Sequence, residues 1–164
     1  MKRSDMENTQ NYLQVLSESL DKKTVILKEL QRLTGIQKEI VEAEEFDDEA
    51  FNANVEMKAA LITELQKMDN GFQILYNNIK DQLEYGRERY ASEIKVLQQK
   101  ISVIMDMNAS LQVAEANNKK LVEKRFAALR KEVHQVKKSK ATAANYYKTM
   151  NNITSEPYFL DKKN

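Results

Sequence analysis

The chain has no cysteine and no tryptophan, a single proline (Pro157), a single histidine (His134) and three glycines, Gly35, Gly71 and Gly86. Without cysteine there is no disulfide framework, thiol nucleophile or thiolate metal site, a composition that fits a reducing compartment. One histidine cannot supply the two Glu-x-x-His pairs that a di-metal bundle needs. His134 sits beside Val133 and Val136 on an amphipathic pattern, which places it on the solvent side rather than in a site. Walker-type sequences, glycine-rich phosphate loops and the Gly-x-Ser-x-Gly elbow are missing as well. An enzyme reading therefore has no residues to name, and no catalytic residue, cofactor or metal is expected.

Long apolar runs are also missing. Stretches such as Val25 to Leu27 fall far short of the ~20 residues that span a bilayer. The basic opening MKRSDMENTQ leads into no apolar segment of signal-peptide length. The expectation is a cytoplasmic protein that is not embedded in a membrane. The sequons at Asn108-Ala-Ser110 and Asn152-Ile-Thr154 then read as chance matches. Nor does one sign of charge dominate: 26 Lys and Arg face 25 Asp and Glu, a net charge of +1. Overall charge thus favours neither a nucleic-acid partner nor an acidic solvating tail.

What is present is helix-forming sequence almost throughout. Leu13, Leu16, Leu20, Leu27, Leu30, Leu33, Ile36 and Ile40 recur at steps of three, four and seven, the stripe of a first helix over 5–44. Six carboxylates surround Phe46 between Glu42 and Glu49, where Asp47 or Asp48 is placed to cap the next helix. That cluster lacks the glycine turn and alternating ligands of a calcium loop. Val55, Leu61, Ile62, Leu65 and Met68 carry a second helix over 48–68, which Asp69-Asn70-Gly71 stops or kinks. A third series from Phe72 through Ile101, Ile104, Leu111, Val122, Phe126 and Leu129 to Val136 has the spacing of a coiled-coil seam over 71–148. Its candidate breaks lie near Gly86 and Asn108, and Asn108 would place a register-setting amide on the seam.

The expected fold is all-α: an elongated antiparallel bundle or coiled-coil hairpin of three long helices, four if the third breaks. It forms one domain over 1–148, with a C-terminal tail over 149–164. Lys119 to Lys140 carries nine basic residues against Glu123 and Glu132, read as a solvated face over an inward seam. Met57, Met68, Met105, Met107 and Met150 read chiefly as core filler, with an adaptable groove as the other use of such residues. The tail concentrates apolar contact area in Tyr146, Tyr147, Tyr158, Phe159 and Leu160 around the single proline, a pattern suited to binding or to folding back on the bundle.

Three stretches carry a family resemblance: Leu20-Asp-Lys-Lys-Thr-Val-Ile-Leu27, Lys58-Ala-Ala-Leu-Ile-Thr-Glu-Leu65 leading into Asp69-Asn-Gly-Phe72, and the ending Pro157-Tyr-Phe-Leu-Asp-Lys-Lys163. In their order and terminal motif the chain resembles the flagellar export chaperones of the FlgN class, in the form seen in Gram-positive, clostridial-type bacteria. The resemblance spans nearly the whole chain, and related export chaperones for flagellin or the filament cap share its general character. It implies a type III export chaperone that masks the amphipathic terminal segments of hook-filament junction (hook-associated) proteins and docks at the flagellar export gate at the membrane. The residues expected to hold the partner are Leu129, Val133, Val136, Tyr146, Tyr147 and Met150 in the helix, with Tyr158, Phe159 and Leu160 in the tail. A structural coiled-coil protein that self-associates into a homo-oligomer through the same seam is the competing expectation.

Overall fold

Apolar side chains at three- and four-residue spacing give each helix one sticky face, and burying those faces together assembles the fold. The computed structural model describes the backbone of residues 3–129 and 133–150 and the side chains of residues 6–129 and 137–150. Among the described residues the architecture is all-helical: α1 Arg3–Glu42, α2 Asp48–Tyr85, α3 Ala91–Ala128 and α4 Val133–Met150. At ~1.5 Å per residue the first three helices are each nearly 60 Å long, and α4 is about 27 Å.

Cross-helix bonds fix the directions. Asn54 of α2 donates to the Leu33 carbonyl of α1 while Lys23 of α1 meets Asp69 of α2, so these two helices run antiparallel. Along α1 and α3, Lys100 meets Ser17 and Asn118 meets Thr34, so these two run parallel. Helix α4 starts at Val133, soon after α3 ends at Ala128, and its Tyr146 covers Lys58, which pairs with Glu115 well back along α3, so α4 runs antiparallel to α3. α1 packs on α2 and α3, α2 packs on α4, and α3 and α4 meet least among these neighbours. Among the described residues, one half of the bundle thus has three helices and the other has four.

The corner between α1 and α2 is built locally and then fastened from a distance. Asp47 caps α2, its Oδ1 accepting from the Ala50 N–H at 3.0 Å, as its position in the acidic segment predicts. Arg125 of α3 donates to the carbonyls of Ala43 at 2.8 Å and Glu44 at 3.0 Å, satisfying acceptors just past the end of α1. Phe46, Phe51 and Phe126 pack with ring centroids 5.5 to 5.9 Å apart, closing that end of the core.

Of the expected breaks, the one at Gly86 is present and those at Gly71 and Asn108 are not. Asp69-Asn70-Gly71 does not interrupt α2, because Phe72, Tyr76, Ile79 and Leu83 prolong the buried stripe at three- and four-residue steps. Cohesion along that stripe outweighs one exposed glycine. Helix α3 runs straight through Asn108, which is half-buried between Ile104 and Leu111; the buried seam amide is Asn118 instead. The expected 71–148 helix is divided: α2 ends at Tyr85 with Gly86 as its C-cap, and α3 ends at Ala128 with Leu129 as its C-cap, giving four helices among the described residues. Met57 and Met105 are about half exposed rather than core filler, whereas Met68 and Met107 pack partly on the core and Met150 is buried.

Gly86 is required by close approach. Its N–H donates to the Gln82 carbonyl at 2.8 Å, and an added Cβ would stand 2.9 Å from that oxygen and 2.9 Å from the ring of Tyr90, which is buried. Around Gly71 nothing lies within 4 Å of the corresponding position. Gly86→Ala is therefore expected to cost about 1–3 kcal/mol through overpacking, while Gly71→Ala gains about 0.5–1 kcal/mol by removing helix-interior glycine. Urea midpoints measured for the two variants should move in opposite directions with unchanged slope.

Candidate functional site

Several positions on the helical stripes are polar. Lys23 follows Leu16 and Leu20, Thr34 and Gln37 follow Leu27 and Leu30, Lys58 lies between Val55 and Ile62, and Glu115 and Asn118 lie between Leu111 and Val122. Each falls at three- or four-residue spacing from its apolar neighbours, so the periodicity that buries the leucines buries these groups too. A charge taken out of water must be met by an opposite charge and hydrogen bonds.

In the four-helix half one connected layer answers that requirement in large part, leaving Glu115 Oε2 and Gln37 Nε2 without a hydrogen-bond partner among the described residues. The Lys58 ammonium, fully buried, pairs with the Glu115 carboxylate and donates to Gln37 Oε1 at 3.2 Å. The Thr34 hydroxyl lies 2.6 Å from Glu115 Oε1 and 2.7 Å from the Leu30 carbonyl. Asn118 donates to the Thr34 carbonyl at 2.8 Å and to Gln37 Oε1 at 2.9 Å. From α4, the ring of Tyr146 covers the ammonium at 4.5 Å from its centroid, and the Tyr146 hydroxyl lies 3.6 Å from Met150 Sδ. Burial depresses the Lys58 pKa, an effect only partly offset by Glu115. Burial likewise raises the phenol pKa of Tyr146, with the Glu115 carboxylate adding to the rise.

A second buried pair links α1 to α2 nearer the three-helix half, with Lys23 Nζ 2.7 Å from Asp69 Oδ1. Burial holds the Lys23 ammonium below its usual range and the Asp69 carboxyl above its own, in each case outweighing their mutual attraction. The raised carboxyl favours the native state as pH falls through its native value toward 3.8, and the lowered ammonium does so as pH rises through its native value toward 10.5. Both shifts run against the charged forms, so the pair costs stability where both groups are charged.

Beside the polar layer, α3 and α4 diverge enough to leave a groove of about 680 Å³. Its floor is Val122, Phe126 and Ala143, all buried, and its walls include the exposed Ala127 and Ala144. Tyr147 lines it too, edge-on against Tyr146 at 5.3 Å, and its enclosed hydroxyl has no hydrogen-bond partner among the described residues. Lys119, Lys140, Lys148 and Glu123 form the rim.

The residues expected to hold a partner separate into distinct environments. Tyr147 lines the groove, and Leu129 packs partly on the core at the end of α3. Tyr146 and Met150 are each only 2% exposed, so their surface is already spent inside the bundle. Burial removes them from a contact surface, because the same faces that would grip a partner hold α4 in place. Val133 and Val136 belong to α4 but their side chains lie outside the described residues, as do Tyr158, Phe159 and Leu160 and the side chain of His134. Lys58, Glu115 and Asn118 are not among the residues expected to form a site, although their seam positions are the signal that marks them. Among the described residues no group of three His, Cys, Asp or Glu side chains is placed to hold a metal, and no helix is long and apolar enough to cross a membrane. The arrangement offers a surface for binding.

Removing one member of the Lys58 pair should strand the other. Lys58→Met is expected to cost about 3–5 kcal/mol, read as a lower urea midpoint at unchanged slope. For the second pair, replacing both charges by Lys23→Met with Asp69→Leu should instead gain about 1–4 kcal/mol near neutrality. That double variant should also flatten the pH dependence of stability, which urea titrations at acid, neutral and alkaline pH would show.

Comparison of the chain with family models, with curated proteins and with solved structures returns no match, so the geometry and the sequence resemblance carry the functional reading.

Proposed function

We propose that this chain is a cytoplasmic export chaperone of the FlgN class, which masks an amphipathic terminal segment of a hook-filament junction protein and releases it at the flagellar export gate. The observation that carries the reading is the groove between α3 and α4. It has an apolar floor and two exposed alanines in its walls, and it needs no chemistry to work. Two stretches that resemble the family also meet in space, since Lys23 of the first pairs with Asp69 beside the second.

Masking by such a groove is reversible in principle. A disordered segment that folds on binding spends about 2–5 kcal/mol of its contact energy on ordering, which leaves room for hand-over. The partner helix lays its apolar stripe between α3 and α4, taking the place of solvent along Ala127 and Ala144, with Tyr147 as the aromatic contact.

Purified hook-filament junction proteins should co-elute with the full chain in size-exclusion chromatography. Filling the groove with Ala144→Trp should weaken that association by about tenfold or more, roughly 1.4 kcal/mol, with circular dichroism confirming unchanged helicity. Failure of every junction protein to associate would overturn the reading, as would binding indifferent to the groove-filling change.

A further inference from the structure

From the charges around the groove we infer that its partner is an amphipathic helix whose apolar stripe is edged by carboxylates. The inference rests on the binding reading above and adds the chemistry of the ligand. The rim carries Lys119, Lys140 and Lys148 against the single Glu123. Behind it, residues 137–150 contribute Lys137 and Lys138 as well and no acidic residue at all. Other grooves on the molecule are less positive: the one between α1 and α3 near Leu13 is edged by Glu18 and Glu93, and the one between α1 and α2 mixes Glu18 and Glu64 with Lys22. A larger groove between α1 and α3, of about 780 Å³, sets Lys38 and Lys120 against Glu42, but its lining of Gln31, Ser110, Asn117 and Asn118 is mostly polar. Of these grooves, the one between α3 and α4 joins the most positive rim, three lysines to one glutamate, to an apolar floor.

The dimensions fit a short helix. The lining runs from Lys119 to Ala127 on α3 and from Lys140 to Lys148 on α4, about 12 Å on each at ~1.5 Å per residue. That is somewhat over two turns, enough for apolar anchors at i, i+3 or i+4, and i+7. Because α3 and α4 are antiparallel, Lys119 and Lys148 flank one end of the groove and Lys140 the other. Carboxylates on both edges of the incoming stripe would meet them without leaving the solvent. Such exposed rim pairs contribute modestly to affinity and more to partner choice and encounter rate. A nucleic-acid strand would use the lysines but leave the floor of Val122 and Phe126 without a partner, so the amphipathic helix accounts for more of the site.

Fluorescence anisotropy with the full chain tests this, using two synthetic 14-residue amphipathic peptides that share one Leu/Met stripe, one flanked by Glu and one by Lys. A 15-nucleotide single-stranded RNA is the third probe. The Glu-flanked peptide is expected to bind about tenfold more tightly than the Lys-flanked one at ~0.05 M salt, with the gap narrowing to about threefold or less at ~0.5 M as the rim is screened. The combined change Lys119→Glu, Lys140→Glu and Lys148→Glu, all at exposed positions, should reverse the preference at unchanged helicity. Equal binding of the two peptides, binding of neither, or an RNA that displaces the peptide with a steep salt dependence would overturn the inference. A Glu-flanked peptide that binds while every junction protein fails to associate would uphold the inference and overturn the export reading alone.

Discussion

A lysine ammonium removed from water has to be answered on every side, and Lys58 of α2 is answered by each of the other helices. Gln37 comes from α1, Glu115 from α3 and the face of Tyr146 from α4. Aliphatic packing alone tolerates sliding, because one leucine substitutes for another along a stripe. This layer does not: a slip of one heptad in α3 would bring Asn108 or Val122 against the ammonium in place of Glu115. Charge burial is a poor source of stability, but it distinguishes this register from its neighbours. The same contact seats Tyr146, and Tyr146 seats the helix that forms one wall of the groove.

Much of the fold was legible in the sequence. The stripe from Leu13 to Leu33 is buried as its spacing requires, and Asp47 caps α2 from within the acidic turn. The breaks were less legible, because a glycine within a helical pattern has two physical meanings. Gly71 sits where nothing approaches, whereas Gly86 sits where Tyr90 presses against the backbone, and the sequence on either side does not tell them apart. The polar layer was half legible: periodicity assigns Thr34, Gln37, Lys58, Glu115 and Asn118 to the interior, but not which of them meet. Lys58 and Glu115 stand 57 residues apart, beyond the reach of local pattern.

The groove was the least legible part. Its lining residues look like any seam, and only the divergence of α3 and α4 turns part of that seam into an open surface. Sequence spacing reports which side of a helix is apolar; it does not report how closely two helices approach. This explains why Tyr146 and Tyr147, adjacent and chemically identical, divide between them the tasks of anchoring α4 and facing the groove.

The corner between α1 and α2 has a kinetic meaning. Its carbonyl acceptors at Ala43 and Glu44 wait for Arg125, more than 80 residues later in the chain, and Phe46 and Phe51 wait for Phe126. Chain ends so distant must search a large loop before they reward closure, and topologies with such contacts fold more slowly than local ones. On a ribosome, the first hairpin would emerge with its corner unfastened and would gain its lock only after α3 had been synthesised to its end.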